Sequence, residues 1–175
     1  MKLKNKSGLT LVEMLCCVVV MLLVSIGMVN GVSLAVRNYE SSLMSSESQV
    51  LCSTLTNLVS DELRYSGAVN WEAYPIRFYS RTYGSECIFS QNDSKQVTLN
   101  EIQRDGTPAQ RGYKLLPNRS YHLGMRASVT LSKAKDNIFS VTILVTDSKD
   151  RELARNVFEV EKLNQEAQIN GNQSS

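Results

Sequence analysis

The sequence predicts an α+β fold, with one long N-terminal helix packed against a C-terminal antiparallel β-sheet head. Three observations predict it. An apolar run near the N-terminus is too long and too even for an ordinary core helix, which would show a polar face. Behind that run, apolar residues recur at three- and four-residue spacing, with no proline before Pro75. The last third of the chain alternates apolar and polar residues between clusters of turn formers, the pattern of half-buried strands.

The chain has 175 residues, 42% of them hydrophobic and 21% charged. That suits one domain with an appendage and excludes a disordered, collagenous or disulfide-dense chain. The formal net charge of +2 is unevenly placed. Residues 1–8 hold Lys2, Lys4 and Lys6 and no acid. Residues 9–36 hold a single charge, Glu13. Residues 37–175 hold 16 basic and 16 acidic residues, so the excess lies in the first eight positions.

The helix comes first. From Leu9 to Val29, 17 of 21 residues are apolar, and no charge occurs over the 23 residues from Met14 to Val36. As a helix that uncharged run is about 35 Å long, enough to cross a hydrocarbon core of about 30 Å. The preceding lysines put the N-terminus on the cytoplasmic side and the rest of the chain outside it. Three readings fit such a segment. It is a plain single-pass anchor carrying an extracytoplasmic binding protein. Or it is a secretory signal peptide cut after Ala35, where Ser33-Leu34-Ala35 offers small residues. Against the latter, the run exceeds an apolar region of about 7–15 residues, and Glu13 stands where such a peptide turns apolar.

The third reading accounts for Glu13. Ser7-Gly8-Leu9-Thr10-Leu11-Val12-Glu13-Met14-Leu15 resembles the processing site of type IV pilins and pseudopilins: a short basic leader ending in Gly, an apolar residue, Thr-Leu-Val-Glu, then a long apolar run. Leu9 stands where the family more often has Phe. The resemblance implies that a prepilin peptidase cuts between Gly8 and Leu9 and that the new N-terminus at Leu9 is methylated. It implies that Glu13 acts in assembly, its charge neutralised by the terminal amine of a neighbouring subunit. A carboxylate near the start of a membrane helix is costly unless paired, which agrees with that role. The implied partners are prepilin peptidase, an N-methyltransferase, other pilin or pseudopilin subunits, a membrane-embedded assembly platform and the lipid bilayer. The implied function is that of a minor pilin or pseudopilin, a structural subunit of a pilus, secretion or DNA-uptake filament.

Past the membrane run, Val36, Tyr39, Leu43, Val50, Leu51, Leu55, Leu58, Val59 and Leu63 continue the helical period. The expectation is one helix from about Thr10 to about Tyr65, roughly 80 Å long. Gly67 is expected to cap it in the left-handed conformation. Gly27, Asn30 and Gly31 weaken its middle and mark a soft point, where the resembled family often has Pro. The chain then divides into a leader (1–8), a membrane or filament-core helix (9–36), an amphipathic stem (37–66), a β-rich head (67–163) and a flexible tail (164–175).

In the head, Pro75–Ser80, Cys87–Ser90 and Gln96–Gln103 are short strand candidates. Residues 104–120 read as a loop region. The strongest signal is Phe139-Ser-Val141-Thr-Ile143-Leu-Val145-Thr, flanked by Leu123–Lys133 and Leu153–Lys162, with turns at Lys135-Asp136-Asn137 and Asp147–Asp150. These three strands predict an antiparallel meander. Ala127, Val129, Leu131, Phe158 and Val160 are expected to join the Phe139–Val145 face, and one such sheet would cover the stem helix.

The residues carry no sign of catalysis, a metal or a cofactor. His122 is the one histidine, and it reads as a surface residue at a strand start. No phosphate loop, zinc spacing or nucleophile elbow occurs. Asp61 and Glu62 read as the solvated face of the helix. Cys16 and Cys17 lie in the apolar run as small hydrophobes. Cys52 and Cys87 are exported, where a disulfide between them would tie head to stem. Arg104, Arg111, Lys114, Arg119 and Arg126 interleave with Tyr113 and Tyr121, a composition that can hold single-stranded nucleic acid. The balanced exported charge favours a scattered solvated surface instead.

Overall fold

The computed structural model of the chain describes residues 10–163. The leader with Gly8, the following Leu9, and the tail, 164–175, lie outside the described residues. The chain divides into two compact units between Leu43 and Met44. Helix α1, Leu11–Arg64, contributes to both.

In the first unit every described residue, 10–43, is exposed. α1 carries one stretch long and apolar enough to cross a membrane. Its hydroxyls fit that setting. Ser25 Oγ donates to the Met21 carbonyl at 2.8 Å, and Ser33 Oγ donates to the Val29 carbonyl at 2.9 Å. Each satisfies itself within the helix, as a polar group in lipid must. α1 runs without interruption through Gly27, Asn30 and Gly31.

In the second unit α1 buries one stripe: Ser48, Leu51, Cys52, Leu55, Val59 and Leu63. The helical period is the one expected, but the stripe is narrower. Val50 and Leu58 stay exposed, because the core covers only the face centred on Leu55. The helix does not end on a left-handed glycine. Ser66, fully buried, donates its N–H and its Oγ to the Leu63 carbonyl, at 3.2 and 2.7 Å. Gly67 serves a different need. Its N–H donates to the Tyr79 carbonyl at 2.8 Å, and a Cβ there would meet the Tyr79 ring at 3.0 Å.

Eight strands follow: β1 Val69–Asn70, β2 Arg77–Ser80, β3 Ser85–Gln91, β4 Val97–Glu101, β5 Tyr113–Lys114, β6 Arg126–Lys135, β7 Ile138–Thr146 and β8 Glu152–Glu161. They form two antiparallel sheets rather than one, of order β1-β2-β3-β4-β5 and β6-β7-β8. The second is the expected meander. Phe139, Val141, Ile143 and Val145 alternate inward without a break along β7. Ala127 and Val160 are buried beside them, while Val129, Leu131 and Phe158 are half-buried on the same core. Asn137 takes a positive φ of 63° at the β6–β7 turn.

Both sheets and α1 share one core, with Phe78 and Leu99 from the first sheet meeting Leu55 and Leu63 in one buried cluster. Strand β4 is buried on both faces. Val97 and Leu99 face that core. Thr98 and Asn100 face the chain that follows, where Thr98 Oγ1 donates to Asn100 Oδ1 at 2.7 Å and Asn100 Nδ2 donates to the Ala109 carbonyl at 2.8 Å. Gly112 closes over this pair, and a Cβ there would lie 2.9 Å from Thr98 Cβ. The region read as a loop, 104–120, is thus a cover for β4 that includes β5. His122 is not at a strand start. It lies exposed in a 3-10 turn, His122–Gly124, where Leu123 has a φ of 53° and interrupts any extended run.

Candidate processing and assembly site

The start of α1 is built by Thr10 and Glu13. Thr10 Oγ1 accepts the Glu13 N–H at 3.3 Å. In return, Glu13 Oε2 accepts the Thr10 N–H at 3.1 Å and its hydroxyl at 3.3 Å. This is a capping box, in which the first residue before a helix and the third inside it satisfy each other's orphan donors. The first helical bond, Met14 N–H to the Thr10 carbonyl at 3.2 Å, follows directly. The box holds the carboxylate against the N-terminal end of the helix, where the helix dipole also favours a negative charge. Among the described residues both of the Thr10 contacts fall on Oε2 and none on Oε1. Thr-x-x-Glu before an apolar run is itself a capping signal, so Thr10 was legible as Glu13's partner from the sequence.

Beyond the box the helix surface is apolar and uncovered. Leu11 is 85% exposed and Met21 70%. Residues 3–29 match the family described as the prokaryotic N-terminal methylation motif. Over that stretch the chain is similar to type IV pilin-like proteins. No curated protein and no solved structure matches it. The motif indicates a chain processed by prepilin peptidase, and the single apolar helix fits membrane anchoring. A long N-terminal helix followed by antiparallel sheets is the architecture that the resemblance implied.

The chain's other candidate residues lie apart from this site. Cys16 and Cys17 are exposed free thiols on the apolar helix. Cys52 and Cys87 are both buried and both free, so the disulfide considered between them is not formed. Burial pushes both thiols up from their ordinary range, against weaker hydrogen bonds from Thr56 and Ser85. A thiol kept protonated is a poor nucleophile for oxidation. Among the described residues, no group of three His, Cys, Asp or Glu side chains is placed to hold a metal ion.

The basic and aromatic stretch does not make one stacking stripe. Tyr121 is buried and its hydroxyl accepts the Val97 N–H at 3.1 Å. Arg126 pairs with Asp150 at 2.8 Å. Tyr113 stacks on Tyr83, with centroids 4.1 Å apart.

Glu62 is half-buried and does not lie on the solvated face expected of it. It accepts Ser80 Oγ at 2.5 Å and Thr82 Oγ1 at 2.9 Å, tying α1 to the β2–β3 turn. Only a long-range contact reveals this, so no local pattern could have signalled it.

Proposed function

We propose that this type IV pilin-like chain is a structural subunit, a minor pilin or pseudopilin, of a filament assembled from the membrane. The peptidase cuts between Gly8 and Leu9, and Leu9 becomes a methylated N-terminus. Lys2, Lys4 and Lys6 orient insertion and leave with the leader. The apolar half of α1 stores the subunit in the bilayer, with the head on the far side, and passes from lipid to packing against other subunits as the filament forms. The observation that supports this best is the carboxylate of Glu13, built into a capping box at the start of an otherwise uncharged, uncovered helix. In a low-dielectric setting an unpaired carboxylate is costly. The terminal amine of an adjacent subunit would neutralise it. Register along the filament then follows from one charge pair per subunit.

The test is Glu13→Ala in cells that make the filament. Processing at Gly8 should continue, while the subunit's share in sheared filaments should fall sharply. Glu13→Gln keeps much of the capping geometry and removes the charge, and it should fail in the same way. Normal incorporation of either variant would refute the role given to Glu13.

A further inference from the structure

The five-stranded sheet ends in two chemically opposite edges. At the β1 edge an open pocket of about 580 Å³ is walled by Trp71, Glu72, Tyr79, Glu86 and Lys133. The ring of Trp71 already carries one cation. Lys133 Nζ lies 5.6 Å from its centroid and pairs with Asp136 at 2.6 Å. The carboxylates of Glu72 and Glu86 have no hydrogen-bond or ion-pair partner among the described residues. The pocket thus offers aromatic surface of the kind that attracts cations and two acids that lack one.

At the opposite edge, β5 presents Tyr113 and Lys114, and Arg111 stands two residues before the strand, all three exposed. Lys114 donates to the neutral Asn118 Oδ1 at 2.9 Å, and Arg111 has no partner among the described residues. The Tyr83–Tyr113 stack fixes the strand beside them. By contrast, Arg151 and Arg155 are paired within the chain, with Asp147 at 2.7 Å and Glu152 at 2.8 Å.

We infer that a second copy of this chain docks its β5 edge, through Arg111 and Lys114, into the acidic aromatic pocket at the β1 edge. Two unlike patches make a heterologous contact, which propagates from copy to copy instead of closing on itself. Opposite charge sets the partner and the register. The inference rests on the filament reading above and supplies the contact between heads.

The experiment co-expresses two differently tagged full-length chains and measures their co-purification from membranes at low salt. With E72K/E86K in both copies, or R111E/K114E in both, like charges meet and co-purification should fall about tenfold. E72K/E86K in one copy with R111E/K114E in the other restores opposite charge, and co-purification should return. Equal recovery in every combination would overturn the inference, as would a loss that the swapped pair fails to restore. Filament yield from the same cells tests the filament reading separately. Its absence in the wild type would overturn that reading, while co-purification still decides the docking.

Discussion

Replacing Leu55 by Ala truncates a side chain with no exposed surface at the centre of the buried stripe of α1. The change removes the branch beyond Cβ. At about 0.8 kcal/mol for each carbon withdrawn from the core, the transfer loss is about 2.4 kcal/mol. The cavity adds to this, because a site bounded by a helix and two sheets collapses only partly, and the total is about 3–4 kcal/mol. Trp71 is the one tryptophan and lies on Phe139, with centroids 4.6 Å apart, so its fluorescence reports on the head alone. Thermal melts of the full chain in detergent micelles should shift down by roughly 10–20 °C, taking a few degrees per kcal/mol at this size. Val50→Ala is the control. That residue is on the same helix but 62% exposed, and it should change stability by less than about 0.5 kcal/mol. Equal shifts for the two variants would refute the stripe as the seat of the head.

Glu62→Ala leaves the buried Ser80 hydroxyl without its acceptor and should cost about 1–3 kcal/mol in urea unfolding. The loss should shrink in a Ser80→Ala background, and an unchanged loss there would contradict the pairing. Asp147 predicts a pH dependence. Its carboxyl is held below the ordinary range by the Arg151 backbone N–H, helped by the Arg151 side chain and the Lys149 N–H, against desolvation. The group is depressed in the folded state, so its contribution is present above the unfolded value of about 3.9 and is lost as pH falls through the folded value. Asp147→Asn should flatten that acid limb in a Trp71 fluorescence titration, and an identical acid limb in the variant would contradict the assignment.

Features set by local pattern were legible in the sequence. α1 follows from an uninterrupted apolar period, and β7 from strict alternation between two turn clusters. The processing motif was legible because its elements stand at fixed spacing over a short stretch. Features set by distant partners were not. β1 and β5 are two residues each, too short to show a period, and they exist by pairing with β2 and β4. They flank β2, β3 and β4, whose runs were legible as strand candidates, so the inner strands could be read and the edges of that sheet could not. Gly67 invited a capping role, yet what it accommodates is the close approach of the Tyr79 ring, which a Cβ would meet at 3.0 Å. Glu62 looked solvated until the β2–β3 turn came down on it. Whether Cys52 and Cys87 are bridged was left open by the sequence, because export permits a disulfide but spacing does not place the two; each is a free thiol enclosed in the core.

In this reading the basic leader is an address, removed after Gly8. Intact mass and N-terminal peptide sequencing of the protein from membranes of peptidase-positive cells test it most directly. The mature chain should begin at Leu9, one methyl group heavier than the bare sequence, and should keep residues 1–8 when the peptidase is deleted. A mature chain that begins at Met1 in peptidase-positive cells, or at Val36, would contradict it.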